Sequence, residues 1–180
     1  MRAIRRILIL LLVSIGLPLA ANEGARALPE ALRSQASDWR PLGAGEMTWF
    51  GLRLYDAQLW SAAPAVTGTA PYALALTYAR DFSAERLVDT SVDEMRRLGT
   101  RDEATLTRWR AELARVFPDV RKGDVIVGVY WPERGAAFYH RGQLTGEVRD
   151  PAFARAFFGI WLDPRTRAPE LRTRLLGSAS

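Results

Sequence analysis

The chain has 180 residues, with 25 basic and 20 acidic side chains, one histidine and no cysteine. The missing cysteine excludes disulfides, a lipid-anchored cysteine and thiol chemistry. A single histidine, His140, is too little for a zinc site, so we expect no metal and no cofactor. The basic residues are mixed with acidic ones and form no stripe with interleaved aromatics, so we expect no nucleic-acid partner.

The N-terminus predicts a secretory signal peptide over residues 1–21. Arginines at positions 2, 5 and 6 precede the apolar run Ile7–Leu17, and small residues follow at Ala20 and Ala21. This order of a basic, an apolar and a small-residue region is typical of a segment cleaved on export, by the general secretory rather than the twin-arginine route. We therefore expect a periplasmic or secreted protein with one domain over residues 22–180. The apolar run is too short for a comfortable membrane span, so we expect no transmembrane anchor after cleavage.

The first half of the expected domain reads as strands followed by helices. Leu42–Gly45 is expected to bend into paired strands, and Thr48–Trp60 is long enough for one continuous strand or a strand with a bulge near Gly51. The segment 62–71 is rich in Pro, Gly, Thr and Ala and reads as a loop. Large residues alternate with small ones over Tyr72–Ala79, which predicts a half-buried strand.

Two helices are expected next. The first follows Ser83, and the second begins at a capping box, Thr100–Glu103, in which the Glu103 side chain reaches back to the cap N–H. Pro118 ends the second helix.

The last third predicts three strands and an aromatic helix. Strands are expected over Asp124–Trp131, Ala136–Arg141 and Gln143–Val148. Asp150 then precedes a proline, as an N-cap does before the first helical residue, and a second, short helix follows the aromatic one. Strands, two helices, strands and two helices indicate an α+β fold with an antiparallel sheet covered by helices. Five aromatic residues are expected to be buried between the layers, namely Trp109, Phe117, Phe153, Phe157 and Trp161.

The polar residues offer few catalytic sets. His140 reads as an exposed strand histidine, and Gly43–Gly45 lacks the continuation of a phosphate loop. On one continuous strand, alternation would place Arg53 and Tyr55 on the same face, where they could hold a polar ligand group at the floor of a cleft. The alternative is that both face solvent on a one-sided sheet.

Two stretches of the chain resemble the chalcone isomerase-like family, in its bacterial exported branch. They are WFGLRLYDAQLW at residues 49–60 and GDVIVGVYWPERGAAFYHRGQLTGEVRDPAFARAFFGIWLDP at residues 123–164. The resemblance covers roughly Leu42 to Gly177. It implies an open-faced sandwich, a large antiparallel sheet with helices packed on one face, and a ligand cleft between the two layers.

The resemblance also implies where the site lies. In chalcone isomerases an arginine stabilises the negative charge that develops during ring closure, and hydroxyl groups order a water at the ketone. The strand hydroxyl corresponds to Tyr55, and a late serine or threonine corresponds to Thr166. Arg86 and Thr90 are nearest to the helical set, and the catalytic arginine falls on Gly43. Without that arginine we expect no appreciable cyclisation of chalcones.

We therefore predict a protein that binds a small apolar or amphipathic molecule, fatty-acid-like or polyphenol-like, with Tyr55 and Arg53 as ligand-binding residues. The alternative is an isomerase, either a chalcone–flavanone-type intramolecular lyase or a related acid–base enzyme, with Tyr55 and Thr166 as catalytic candidates. A third possibility is a structural role in the cell envelope. Whether the protein is an enzyme stays open at this stage.

Overall fold

A computed structural model of the chain describes residues 28–29, 32–33 and 38–177. The predicted signal peptide, residues 1–21, lies outside the described residues. Within these ranges no helix has both the length and the apolar character needed to cross a membrane.

The described residues contain a single antiparallel sheet whose six strands lie side by side in chain order. The strands are β1 (Arg40–Trp49), β2 (Leu52–Ser61), β3 (Tyr72–Tyr78), β4 (Val125–Trp131), β5 (Gly135–His140) and β6 (Gln143–Val148). The predicted strands of the last third are confirmed to within one residue at each end.

The segment expected to be one long strand is a hairpin, so that prediction is wrong. Strand β1 ends at Trp49 and β2 begins at Leu52, and these two residues pair directly. Between them Phe50 and Gly51 both adopt positive φ angles, 48° and 76°. Two consecutive residues in the left-handed region are what a two-residue type I′ hairpin turn requires. Phenylalanine is uncommon there, which is why the sequence did not signal the turn.

The helices with described bounds are α1 (Ala84–Leu98), α2 (Glu103–Val116), α3 (Pro151–Leu162) and α4 (Pro169–Leu175), and Leu32 and Arg33 are also helical. Ser83 caps α1 and Asp150 caps α3, as expected. The predicted N-cap of α2, Thr100, is wrong by two residues. Asp102 is the N-cap, and its side chain accepts from the Thr105 amide. Glu103 instead pairs with Arg96 at the end of α1.

The helices pack on one face of the sheet, which confirms the predicted α+β arrangement. Their shared core includes the five aromatics expected to be buried, Trp109, Phe117, Phe153, Phe157 and Trp161, all at most 8% exposed. Helix α4 lies directly against β1, where a Cβ on Gly43 would be 2.0 Å from the Arg174 carbonyl oxygen. Gly43 and Gly45 therefore lie inside a strand that must approach a helix closely, and the bend expected at Leu42–Gly45 is an irregularity within β1, where the pairing with β2 skips Leu42.

The other face of the sheet carries a smaller apolar cluster. Alanine and valine side chains of β3, β4 and β5 form it together with Trp60 and Tyr139, and Leu28 and Leu32 cover part of it. The cluster therefore combines small side chains with large rings, since Trp39 and Trp131 also pack against it.

Candidate functional site

A cavity of about 340 Å³ lies between the sheet and the helical layer. Its floor is formed by residues of strands β1 to β5, and its roof by α1 and α3. The walls are mainly apolar and include Leu74, Leu76, Leu87, Ile126, Phe157 and Phe158. Small-molecule sites usually have this form, an apolar enclosure of about 300–1,000 Å³ with a few polar groups.

The cavity exists because α1 and α3 present side chains of different size to the sheet. Helix α3 presents the large rings Phe157, Phe158 and Trp161, whereas α1 presents Leu87 and Ser91. The Ser91 hydroxyl donates to the Leu87 carbonyl within its own helix. The smaller side chains of α1 leave unfilled space above the sheet, since a packed interior needs volumes that match across the layers.

Tyr55 lines this cavity from β2. Its ring lies edge-on to Tyr78 at 6.1 Å, and its hydroxyl oxygen accepts a 3.0 Å hydrogen bond from the indole N–H of Trp161. Burial raises the pKa of Tyr55 to about 12, although the bond from Trp161 opposes the rise. The side chain is therefore a neutral phenol at physiological pH. Its own O–H donates no hydrogen bond within the described residues, so that proton can be donated to a ligand.

Arg53, predicted beside Tyr55 in the cleft, lies on the other face of the sheet and does not line the cavity. Met47 of β1 pairs with Tyr55, but the next residue of β1, Thr48, pairs with Arg53 rather than with Leu54. Leu54 is therefore an extra residue, a β-bulge in β2. The bulge reverses the alternation. Leu54 joins Tyr55 at the cavity, and the Arg53 guanidinium pairs with Asp56 and lies 3.4 Å from a Glu46 carboxylate oxygen.

Two polar side chains of α1 stand at the exposed rim of the cavity. They are Arg86 and Thr90, the residues that the family resemblance put nearest to the helical catalytic set. A spacing of four residues places them on one side of the helix. The Arg86 guanidinium forms no ion pair within the described residues. It is therefore a cationic group at the mouth of an apolar cavity.

Glu94 closes one side of the cavity in a network that the sequence analysis did not identify. Its carboxylate lies 2.9 Å from Arg167 and 2.7 Å from Arg97. Arg97 also donates to the Arg165 carbonyl, so α1 is tied to the loop between α3 and α4. A signal was present in the sequence, because Glu94 shares a helix face with Leu87 and Ser91, and a carboxylate on an apolar face needs partners.

Thr166, the other catalytic candidate, also lines the cavity and is 8% exposed. Its hydroxyl donates to the Ile160 carbonyl at 2.7 Å and accepts from the Ala168 amide at 3.2 Å. The only proton of this hydroxyl is thus used within the chain, where it shapes the loop after α3. Of the two predicted hydroxyl groups, the one on Tyr55 is the better placed to contact a ligand.

The remaining titratable residues give no further site. The His140 side chain is 16% exposed, and its Nε2 lies 3.4 Å from an Asp124 oxygen, so the expected solvent exposure of this histidine is wrong. The Asp124 carboxylate also pairs with Arg141, and that bond is the main reason why its pKa falls to about 2. Among the described residues no group of three His, Cys, Asp or Glu side chains is arranged to hold a metal ion.

Comparison with known proteins agrees with this architecture. An uncharacterized protein of Haemophilus influenzae is 30% identical over 144 residues, which cover 77% of this chain and 68% of that protein. A fatty-acid binding protein of Arabidopsis thaliana has a similar fold, with a TM-score of 0.62 at 10% identity over 78% of this chain and 88% of that one. The family model described as chalcone isomerase-like matches residues 25–177. Since this match takes in the whole sheet and all four described helices, the chain belongs to the chalcone isomerase-like family.

Proposed function

We propose that the protein binds a small amphipathic molecule, with an apolar chain in the cavity and a carboxylate or similar anionic head at the rim. The observation that carries the proposal is an apolar cavity with a cation at its mouth, Arg86, that has no ion-pair partner within the described residues. The Tyr55 hydroxyl is a second donor, deeper in the cavity.

The apolar walls would supply most of the affinity. Each buried methylene contributes about 0.8 kcal/mol, which corresponds to about a fourfold change in Kd. The cationic rim would select for an anionic head, because an exposed ion pair adds up to about 1 kcal/mol. A saturated fatty acid has both features. The Arabidopsis fatty-acid binding protein supports this choice by its fold alone, because its sequence is only 10% identical.

We also propose that the protein is exported. Residues 1–21 carry the sequence pattern of a signal peptide. N-terminal sequencing of the soluble protein from its own bacterial cells is expected to find Asn22 or a close neighbour first. Retention of Met1 on the soluble protein would contradict export by this route.

The isomerase alternative has less support. The position that the family resemblance assigns to the catalytic arginine is Gly43, and even a Cβ there would collide with the α4 backbone. Removal of a charge-stabilising donor typically lowers kcat by about a hundredfold or more. We therefore expect chalcone to cyclise in the presence of the protein at its spontaneous rate. Turnover well above that rate, followed by absorbance, would contradict this expectation.

Calorimetric titration with saturated fatty acids of increasing chain length, and with fatty alcohols of the same lengths, tests the proposal. Affinity should rise about fourfold per methylene until the cavity is full. Arg86→Gln should weaken fatty-acid binding by up to about fivefold and leave alcohol binding unchanged. Arg101→Gln is the matched control, because Arg101 is exposed, lies outside the cavity and makes the same change in charge.

Two results would overturn the proposal. One is that no chain length binds, and the other is that Arg86→Gln affects acids and alcohols equally. Tyr55→Phe serves as a second variant, and it should weaken binding of both ligand series by about two- to tenfold because it removes one hydrogen-bond donor.

A further inference from the structure

Large apolar side chains are strongly exposed at one end of the sheet and nowhere else in the part of the chain that the structure describes. They are Trp49, Phe50, Leu52 and Leu144, which are 46%, 90%, 53% and 53% exposed. The first three form the β1–β2 turn, and Leu144 follows the β5–β6 turn. Single exposed leucines are ordinary, but a group confined to one end indicates a contact surface.

The topology explains why these residues share an end. In an antiparallel sheet whose strands follow chain order, successive connections alternate between the two ends. The β1–β2 turn, the β3–α1 and α2–β4 connections and the β5–β6 turn therefore lie together. The two turns are four strand spacings apart, or about 19 Å. We call this surface the tip end and define it as residues 49–53, 79–83, 117–124 and 140–144.

Phe50 is the most informative residue of the tip end. Its φ of 48° lies in the left-handed region, which is unfavourable for a bulky side chain. Asparagine or glycine would suit this turn better. The Phe50 ring makes one aromatic contact, with Trp49 at 5.1 Å, and is otherwise in solvent. Folding alone therefore gives no reason for phenylalanine here, and strain retained at a surface position points to a role in binding.

Charged groups at the tip end leave a set of cations available. Arg80, Arg121 and Lys122 are exposed, and their side chains form no ion pair within the described residues. Of the carboxylates of this end, Asp124 pairs with Arg141, whereas Asp81 and Asp119 accept from backbone amides and keep their charge. With Arg53 and Arg141 included, the tip end carries five cationic and three anionic side chains, so its net charge is positive.

We propose that the tip end docks on the surface of a phospholipid bilayer. Phe50, Trp49 and Leu52 enter the interface between headgroups and acyl chains, and the cations between the turns meet lipid phosphates. Tryptophan favours this depth of a membrane because its ring is apolar and its N–H is polar, and the apolar side chains of Phe50 and Leu52 gain by leaving water. Free cations beside an apolar tip complement an anionic lipid surface.

The docking surface is continuous with the ligand cavity. Trp49 belongs to the tip end and also lines the cavity. A bilayer at this end would lie beside the cavity wall, so that an apolar ligand could pass between them without crossing bulk water. This transfer step rests on the proposed ligand binding, whereas the docking itself does not.

Sedimentation with vesicles tests the docking. The probe is a vesicle of equal parts phosphatidylethanolamine and phosphatidylglycerol, and the protein begins at Asn22, which keeps every residue the structure describes. The wild type should bind. Phe50→Asn combined with Leu52→Ser should weaken binding by more than about tenfold, because two large apolar side chains are lost. Lys122→Glu should weaken binding to these vesicles but not to vesicles of phosphatidylcholine alone.

Phe50→Asn also separates docking from folding. Asn-Gly is a favoured type I′ pair, so this variant should unfold at the same or a higher temperature while binding vesicles less. Pro64→Ser, at an exposed position of the opposite end, should change neither property.

Three outcomes would overturn the docking proposal. They are a wild type that does not bind vesicles, equal binding by the Phe50→Asn, Leu52→Ser variant, and a concentration-dependent dimer that this variant disrupts while vesicles remain unbound. Fatty-acid titration without vesicles provides a separate readout. If it fails while vesicle binding holds, only the proposed ligand and the transfer step are lost.

Discussion

Two parts of the space between the sheet and the helices are built from the same strands but are filled differently. Beneath α2 and the start of α3, Trp109, Phe138 and Phe153 pack ring against ring, with centroids 5.7 and 6.3 Å apart. Beneath α1 the space is a cavity of about 340 Å³. One part stabilises the fold and the other leaves room for a ligand, so substitutions in the two parts should affect different properties.

The largest effect is expected in the filled part. Phe153 is completely buried among aromatic rings, so Phe153→Ala should lower the free energy of unfolding by about 3–5 kcal/mol. Chemical denaturation measures this. Phe50→Ala is the matched control, because it removes the same ring from a 90% exposed position and should not destabilise the protein appreciably. A loss below about 1 kcal/mol for Phe153→Ala would mean that α3 is not docked as described.

A smaller effect is expected at Asp150, which caps α3 and also accepts a hydrogen bond from Trp109 in the filled part. The Asp150 side chain accepts from two backbone amides at the start of α3 and from the Trp109 indole N–H at 2.8 Å. Asp150→Ala should cost about 2–4 kcal/mol, since it removes a cap and leaves a buried donor unpaired. Asp102→Ala removes only the cap of α2 and should cost about 1 kcal/mol. Equal losses in the two variants would show that the indole bond adds nothing.

Substitution in the cavity should change binding rather than stability. Leu87→Phe replaces a leucine of the cavity wall with a larger, aromatic side chain. Because empty space can accept the ring, the free energy of unfolding should stay within about 1 kcal/mol of the wild type. Fatty-acid affinity should fall more than about tenfold as chain-binding volume is lost. Glu85→Phe places the same ring outside the cavity and should leave affinity unchanged. A large loss of stability in Leu87→Phe would mean that this space is already filled.

The smallest effect appears only at alkaline pH. Burial raises the pKa of Tyr55 to about 12 from about 10 in the unfolded chain. The neutral phenol is therefore favoured by folding. Its contribution to stability is complete below pH 10 and is lost as the pH rises through 12. The free energy of unfolding should fall less steeply over this range in Tyr55→Phe than in the wild type. Identical pH profiles would indicate that the Tyr55 hydroxyl is open to water.

Much of the fold followed from patterns local in the sequence. Ser83 and the Asp150-Pro151 pair marked the starts of α1 and α3 because capping depends on a few neighbouring residues. The strands β4, β5 and β6 were bounded by turn residues. Burial of Trp109, Phe153 and Phe157 followed from helical spacing, which any helix on a sheet imposes.

The errors arose where a contact or a strained residue overrode the pattern. Gly43 and Gly45 look like a bend in the sequence, but they lie in a strand that packs closely on α4, against its backbone at Gly43 and its side chains at Gly45. The Phe50 turn is hidden because its chemistry is unusual for a hairpin. The bulge at Leu54 then reversed the face on which Arg53 lies, since a slip of one residue exchanges the two faces of a strand.

By itself the sequence determined the α+β class, the caps of α1 and α3 and the buried aromatics, and it pointed to Tyr55, which lines the cavity. The tertiary structure alone decided that Arg86 rather than Arg53 stands at the cavity, that Trp161 donates to the Tyr55 hydroxyl, and that Glu94 joins α1 to a distant loop. Caps and periodicity depend on neighbours in the chain. A cavity instead depends on how side-chain volumes from separate elements match in space, and no single segment contains that information.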